Sequence, residues 1–490
     1  IRLSLVGSEM CIRDRHCAAA DCRPTSRPHQ ERRLIVADDR PAPDSVVLAG
    51  EADCIRFFHD SIKPLHGRRV GLEYEMVLID KLTSLAVPFF GHRSLSTLLG
   101  ELVPRGWQPV LEGGLIVGLR REAASVSLEP GGQLEFSGSP HNDVAPLLSE
   151  LVHFLDELRP VCERLAIAIV CTGYRPFGSA RSVATVPRRR YRELMPLLTE
   201  QARMATGQKM TASMQVSLDY TSELHAGHLL QLGLKCQPLI VAMFGNSPLS
   251  QGRPTRWNSY RMQTWSGFGS QRAGIPPVML ESGFPQHAFA HYTRWALEKP
   301  LLLIQRAGDL KVVRDCRFAQ FLKHGWSGYR ATVNDWSMHL GTLFPEARLK
   351  RVVELRSADT CTPPMAAALA VIWKGLAYSD ESRQEALDLL KGFGSVNLPE
   401  IYMTASRLGL SNRGPGSLRD LSLKLLDIVD RGLSRRSESN TEKDLLAPVV
   451  DAVKAGRSPA NAVVDAFRRE GSLAALKASH LDAARMQWLG

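Results

Sequence analysis

The chain has 490 residues, 44% hydrophobic and 23% charged, ordinary for a globular protein with a substantial core in one large or two to three average domains. Its 61 Lys and Arg against 50 Asp and Glu give a formal charge of +11 and a pI near 9.3, which calls for an anionic partner: nucleic acid, a membrane surface or a phosphorylated small molecule. Nine cysteines without CxxC pairing or regular spacing argue against a disulfide scaffold and a structural zinc site. No apolar run approaches the roughly 20 residues that span a bilayer; the best candidate, 366–378, is short and carries Lys374, so it reads as a buried helix in a cytoplasmic protein. Nucleic-acid binding calls for Lys and Arg interleaved with aromatics, and the densest cluster, Arg188, Arg189, Arg190 and Arg192, holds only Tyr191 among them. The preference for Arg over Lys suits fork-like recognition of carboxylate and phosphate.

Residues 1–45 look foreign to the rest. The stretch SLVGSEMCIRDR resembles translated adapter sequence, three cysteines (Cys11, Cys17, Cys22) lie among Arg, Asp, Ser and Pro, and the segment is expected to be disordered or non-native. From 46 onward the pattern predicts a helix over 51–62, a strand over 69–79, and a helix over 94–103 capped by Ser94 with Leu95, Leu98, Leu99 and Leu102 on one face. Short strands follow at 109–111, 115–120 and 125–128, the first two separated by the Glu112-Gly113-Gly114 turn. Residues 144–170 have helical spacing that Pro160 should bend or break, and 224–244 is helical with Pro238 as an interruption. Residues 210–220 and 349–356 alternate as strands, Pro363-Pro364 opens a helix to 378, and the chain past 380 is mostly helical. No linker divides 46–435, so this is one expected domain, with 436–490 as a helical extension packed on it.

In a strand, residues two apart share a face. Val70, Leu72, Tyr74 and Met76 then oppose Glu73 and Glu75, and Leu134 and Phe136 oppose Gln133, Glu135 and Ser137. The Pro130-Gly131-Gly132 turn should bring Glu129 near the same place. Met214, Val216, Leu218 and Tyr220 oppose Gln215, Ser217 and Asp219, and Val353 and Leu355 oppose Glu354 and Arg356. Four strands with one greasy and one oxygen-rich face fit two arrangements: an antiparallel sheet with one solvated side, or a cleft for a hard divalent cation. Adjacent carboxylates repel unless solvated or bridged, strands disfavour Glu, and oxygen-only donors select Mg²⁺ or Mn²⁺ over zinc.

Several motifs are absent: GxxxxGK[ST], HExxH and GxSxG. Gly267-Phe268-Gly269 lacks the third glycine of a dinucleotide fingerprint and reads as a turn. His287 and His291 have no Glu between them and no third ligand, and read as a surface or packed pair. Cys316 and Cys361 have no obvious activator nearby and read as inert thiols.

The segments GLEYE (71–75), SLEPGGQLEFSGSP (127–140), RRRYREL (188–194), TASMQVSLDY (211–220), KCQPLIVAMFGNSPLSQGRP (235–254), SYRMQTW (259–265) and DWSMHLGTLFPEARLKRVVELRSAD (335–359) together resemble the plant and proteobacterial type of glutamate–cysteine ligase. Weaker likeness continues through GLSRR (432–436) and AGRSPAN (455–461). The resemblance implies an α+β, glutamine-synthetase-like fold: a curved, mainly antiparallel sheet forming a carboxylate-lined cleft and packed on helices. It implies ATP-dependent joining of L-cysteine to the γ-carboxylate of L-glutamate through a γ-glutamyl phosphate, the first step towards glutathione or an ergothioneine-type thiol. Mg²⁺ or Mn²⁺ would be required and ATP would be a co-substrate. The implied partners are these small molecules, with no nucleic acid and no membrane, in a monomer or homodimer.

By position, the resemblance implies metal binding by Glu73, Glu75, Glu129, Glu135 and Glu354, with Gln133 and Gln215 as polar neighbours in the substrate site. Arg261 and Arg272 are expected at the glutamate α-carboxylate or the phosphates, by bidentate pairing. Trp265 would wall the amino-acid pocket, and Arg356, Lys350 and Arg190 would face ATP. Two departures stand out. The helix after the EPGGQ segment has no cysteine before Cys162, so the disulfide switch of plant enzymes does not carry over. Met210 stands where plant relatives have an arginine. A ligase of the same fold with another amine acceptor, and a non-catalytic basic nucleic-acid-binding protein, are the alternatives.

Overall fold

The computed structural model describes residues 46–481 apart from 200–201, 267–271, 412–413, 415 and 436–439; the expectations for 1–45 and for the Gly267-Phe268-Gly269 turn lie outside the described residues. The centre of the fold is β1 (Val70–Asp80), an 11-residue strand whose burial alternates over its first four residues and is continuous from Tyr74 to Asp80. Its neighbours are β2 (Gln108–Glu112), β3 (Leu115–Arg121), β4 (Ala124–Leu128), β5 (Leu134–Ser137), β6 (Ile167–Val170), β7 (Ser213–Leu218), β8 (Ala347–Leu349) and β9 (Val353–Asp359). They form one sheet in the order β8-β9-β7-β1-β5-β4-β3-β2, with β6 also paired to β1. Every pairing within it is antiparallel.

One face of this sheet is the core. Tyr74, Met76, Leu134, Phe136, Met214, Val216 and Leu355 are buried in it, against the helices Val144–Arg164, Glu223–Phe244 and Pro363–Ala377. Phe136 stacks on Phe154 with ring centroids 4.6 Å apart. At Gly233 a Cβ would stand 2.5 Å from Leu355 Cδ2, so the absence of a side chain lets the 223–244 helix lie close on β9. The fold is thus α+β, with a mainly antiparallel sheet packed on helices.

Two expectations about helices need correction. Pro160 and Pro238 do not break their helices, which run through them as Val144–Arg164 and Glu223–Phe244. Each proline forfeits a backbone hydrogen bond, and the buried residues on either side hold the helix together. The first helix instead ends before Ala166, whose φ is +52°. Residues 167–170 then form β6, because Ile-Ala-Ile-Val has no period of its own and takes the free length of β1, with Val77 opposite Val170 and Asp80 opposite Ile167. The 349–356 alternation is likewise a hairpin: Lys350 N–H donates to the Val352 carbonyl at 2.8 Å and reverses the chain between β8 and β9. None of the helices among the described residues is long and apolar enough to cross a membrane.

The C-terminal helices are tied to the body by charge. Lys374 is fully buried on the 363–377 helix. Its ammonium donates to Glu442 Oε2 at 2.8 Å and to Asp143 Oδ1 at 3.1 Å. Glu442 Oε1 also accepts the Val144 N–H at the start of the 144–164 helix, at 2.7 Å. Breaking such a buried pair from one side leaves a desolvated charge with its closest partner gone. Glu442→Ala should therefore cost about 3–5 kcal/mol, and the double variant Lys374→Met/Glu442→Leu should recover most of it; thermal unfolding of the three proteins checks this. Equal losses in the single and double variants would show that the pair is not what fixes the segment.

Candidate active site

The register of the sheet brings the polar residues of four separate sequence segments into one row. Glu75 lies opposite Glu135, and Glu135 opposite Ser127. On the other side of β1, Glu73 lies opposite Gln215; farther along, Ser217 lies opposite Glu354, and Glu354 opposite Arg348. Glu129 joins the row because the turn after β4 is tight: Gly132 N–H donates to the Glu129 carbonyl at 2.8 Å, and Glu129 N–H to the Gln133 carbonyl at 2.9 Å.

Within the row, Ser213 N–H donates to Glu75 Oε2 at 2.6 Å and the Gln215 amide to Oε1 at 3.1 Å. The Ser127 and Ser137 hydroxyls each donate to Glu135 Oε1 at 3.3 Å. Tyr191 Oη, which donates to the Leu128 carbonyl at 2.9 Å, lies 3.4 Å from Glu129 Oε1. These hydroxyls and amides supply no net charge. Burial first, and then the field of Glu129, Glu73 and Glu75, pushes Glu135 well above the usual carboxylate range. Burial and Glu75 raise Glu129 to about 7 against the pull of Arg188, Arg190 and Arg356. Burial raises Glu73 and Glu75 as well. The four carboxyl groups form a cluster whose full ionisation lacks matching counter-charge.

Glu354 is different. Burial would raise it, yet Arg348, Lys350 and Arg356 together outweigh that and hold it below its ordinary value. Arg348 Nε donates to its Oε2 at 2.5 Å, Lys350 Nζ lies 2.8 Å from Oε1, and Arg356 lies 3.5 Å from Oε2. Arg356 stands in a β-bulge, since Leu355 and Ala358 on β9 face Val216 and Met214 on β7. From there its guanidinium also donates to Gln215 Oε1. Gln215 thus links the anionic cluster, through Glu75, to the cationic one.

Arg261 is buried and committed: it donates to the carbonyls of Arg356 (2.8 Å) and Ser357 (3.4 Å) and lies 3.7 Å from Asp359 Oδ1. It draws down both Glu75 and Glu346 from the values that burial sets. Asp359 in turn accepts from Ser247 Oγ (2.6 Å), Asn246 N–H (2.9 Å) and Ser259 Oγ (2.8 Å), which anchors the Tyr260–Ser266 helix. Trp265 donates to Thr211 Oγ1 at 3.2 Å and packs on Phe344 at 5.6 Å.

Other expected site residues fall elsewhere. Arg272 donates to the Thr342 carbonyl and hydroxyl, both at 3.0 Å, and to the Pro300 carbonyl, and burial lowers it to about 10. The Gln133 amide is spent on the Gln208 (3.0 Å) and Thr211 (2.7 Å) carbonyls, so it holds the turn in place. Asp219 turns away from the row, its Oδ2 accepting the Arg69 N–H at 3.0 Å. Cys361 is buried and its thiol is raised by burial, as is that of Cys316. The rings of His287 and His291 lie 6.1 Å apart.

Arg348 is the site residue that the 349–356 alternation does not reveal; its signal is the two-residue spacing to Lys350 just before the turn.

Among the described residues, no three or more His, Cys, Asp or Glu side chains are already drawn around one point that an ion would occupy. The donor chemistry nevertheless fits a hard divalent cation: Glu73, Glu75, Glu129 and Glu135 offer oxygen only, and their mutual repulsion is what such an ion removes.

The fold is thus an antiparallel sheet packed on helices, with a row of undercompensated carboxylates on one face bordered by arginines and a lysine. The chain belongs to Glutamate-cysteine ligase family 2 (GCS2), whose model matches residues 69–479. It is 30% identical over 448 residues to the chloroplastic glutamate–cysteine ligase of Medicago truncatula, covering 89% of this chain and 86% of that one. It is 29% identical over 445 residues to that of Nicotiana tabacum, covering 89% and 84%. A crystal structure of glutamate–cysteine ligase from Francisella tularensis in complex with AMP aligns with 84% of this chain and 87% of its own at 13% identity and a TM-score of 0.48.

Because these carboxylates repel one another, Glu73→Gln and Glu135→Gln should each raise the thermal midpoint of the metal-free protein while lowering turnover by at least about 10²-fold. Calorimetry in chelator and a steady-state assay check the two halves; a destabilised variant with wild-type turnover would contradict both.

Proposed function

We propose that the row of carboxylates is the catalytic centre of an ATP-dependent ligase that joins L-cysteine to the γ-carboxylate of L-glutamate. The observation that carries the reading is the in-register placement of Glu73, Glu75, Glu135 and the adjoining Glu129 on one sheet face, inside the stretch that matches the family. A carboxylate is a poor acyl donor, so the γ-carboxylate first accepts the γ-phosphoryl group of ATP, and the cysteine amine then displaces phosphate. Two anions have to approach, and positioning and charge neutralisation do most of the work. Glu73, Glu75, Glu129 and Glu135 would hold Mg²⁺ or Mn²⁺, which would supply that neutralisation on the carboxylate side.

On the other side, Arg348, Lys350 and Arg356 form the phosphate-facing group, with Glu354 keeping them in place. As a metal ligand, its expected role, Glu354 would have to release these cations. Arg261 holds the glutamate α-carboxylate; its Nε is buried with no hydrogen-bond partner among the described residues. Arg190, which acts on Glu129, completes the positive border, Trp265 walls the amino-acid pocket, and Arg272, held by Thr342 and Pro300, is left out of the site. The reading takes 46–435 as the catalytic domain of a cytoplasmic monomer or homodimer, with 436–490 as its extension. Met210 packs with Tyr174 and Val183 in an apolar cluster, at the position where the resemblance puts an arginine. That favours, as a second reading, a ligase of the same chemistry with another amine acceptor.

ADP release should require glutamate, a divalent cation and an amine acceptor, and ¹⁸O placed in the γ-carboxylate should appear in the released phosphate. Phosphate free of ¹⁸O, or full turnover in excess chelator, would exclude the mechanism. Highest kcat/KM with an amino acid other than cysteine would select the second reading.

Arg261→Ala should raise the glutamate KM by about 10-fold or more and also lower kcat, because the same guanidinium braces the bulge that carries Arg356. An unchanged KM with a fall in kcat alone would leave Arg261 as a brace and remove it from the substrate.

A further inference from the structure

Arg175 is a buried cation for which the reaction above has no use. It lies in the loop after β6 and is 1% exposed. Burial alone lowers it, to about 10, with no carboxylate acting on it. Its guanidinium donates to two backbone carbonyls in different elements: Leu78 of β1 at 2.9 Å and Gly131 at 3.0 Å. Its Nε has no hydrogen-bond partner among the described residues. Placing a desolvated cation against carbonyl dipoles alone is costly, and a neutral side chain would fill this space at lower cost. What the arginine adds is a rigid fork that joins two backbones.

The joined backbones are the ones that matter for the carboxylate row. Gly131 is the middle of the turn that separates Glu129 from Gln133 and Glu135. The turn is pressed home from the other side as well: Val186 N–H donates to the Pro130 carbonyl at 3.0 Å, and a Cβ on Gly131 would stand 2.1 Å from the Lys209 carbonyl oxygen. The loop carrying Arg175 is itself fixed, its N–H donating to the Met210 carbonyl at 2.7 Å. Arg188, Arg190 and Arg356 are the leading cations acting on Glu129, so Arg175 contributes geometry to that carboxylate.

Resting on the ligase reading, we propose that Arg175 is a positioning residue: by bridging Leu78 and Gly131 it fixes the Pro130–Gly132 turn against β1 and sets the distance of Glu129 from Glu75 at which the two share a divalent cation.

The test is Mn²⁺ binding to the metal-free full-length protein, followed by the electron paramagnetic resonance of free Mn²⁺, with thermal midpoints alongside. Arg175→Gln should raise the Mn²⁺ Kd by about 10-fold or more, with Arg175→Lys, which keeps the charge and reaches one carbonyl, in between. In a Glu129→Gln background the same Arg175→Gln change should add less than about 2-fold, because the carboxylate it positions is gone. A lowered midpoint with an unchanged Mn²⁺ Kd, or full multiplication of the two effects, would make Arg175 a structural residue only. If Arg175→Gln does not fold, Arg175→Lys decides: wild-type Mn²⁺ affinity in that variant overturns the proposal. A wild-type protein that neither binds Mn²⁺ nor releases ADP would instead sink the ligase reading itself, and the role of Arg175 with it.

Discussion

Glu75 and Glu135 face each other across two antiparallel strands, and the rest of the site is arranged around that repulsion. Like charges directly opposite on a sheet are destabilising, and here Glu75 is buried and Glu135 half-buried, which limits the water that can screen them. The pairing survives because the opposite face of the same strands is pinned by the core: Tyr74 lies opposite Phe136 and Met76 opposite Leu134. A slip of one residue would relieve the carboxylates only by turning Tyr74, Met76, Leu134 and Phe136 to the polar side. The hydrophobic effect on one face thus holds the electrostatic tension on the other.

The cationic half of the site is built by a different device. The bulge in β9 holds Arg356 where it touches both Glu354 and Gln215, and the hairpin adds Arg348 from β8 and Lys350 from the turn between the two strands. Three cations around one carboxylate leave an excess of positive charge beside an excess of negative charge. Gln215, neutral and able to donate and accept at once, joins the two without cancelling either. Such a division suits a reaction in which phosphate and metal lie side by side, since each half is stabilised by the partner it receives.

The two halves are locked together from behind by Asp359. Its carboxylate gathers Ser247, Ser259 and the Asn246 N–H and so fixes the helix that carries Arg261 against the carbonyls of the bulge. At Gly173 a Cβ would come within 2.3 Å of Asp359 Cγ, so this junction has no room to relax. Preorganisation of this kind has a conformational cost that the large buried core covers.

By itself, the sequence determined which residues share a face. Period-two alternation put Glu73 with Glu75, Gln133 with Glu135, and Glu354 with Arg356, and the excess of Glu on strands left a cation cleft open beside a solvated face. It also determined the helix at Leu95–Leu102, where Ser94 accepts the Thr97 N–H as its position before the apolar face requires. Whatever depends on partners far away in the chain was decided by tertiary structure. Residues 167–170 became a strand because β1 offered them an unpaired edge. Pro160 and Pro238 remained inside helices because packing on either side outweighed one lost hydrogen bond. Gln133 and Arg272 were drawn to backbone carbonyls, and Glu354 was neutralised by Arg348, six residues earlier, across a turn that alternation alone does not reveal. Alternation is a local property of the backbone and can be read along the chain. Which charge meets which is set by register between strands brought together by folding, and no local pattern encodes it.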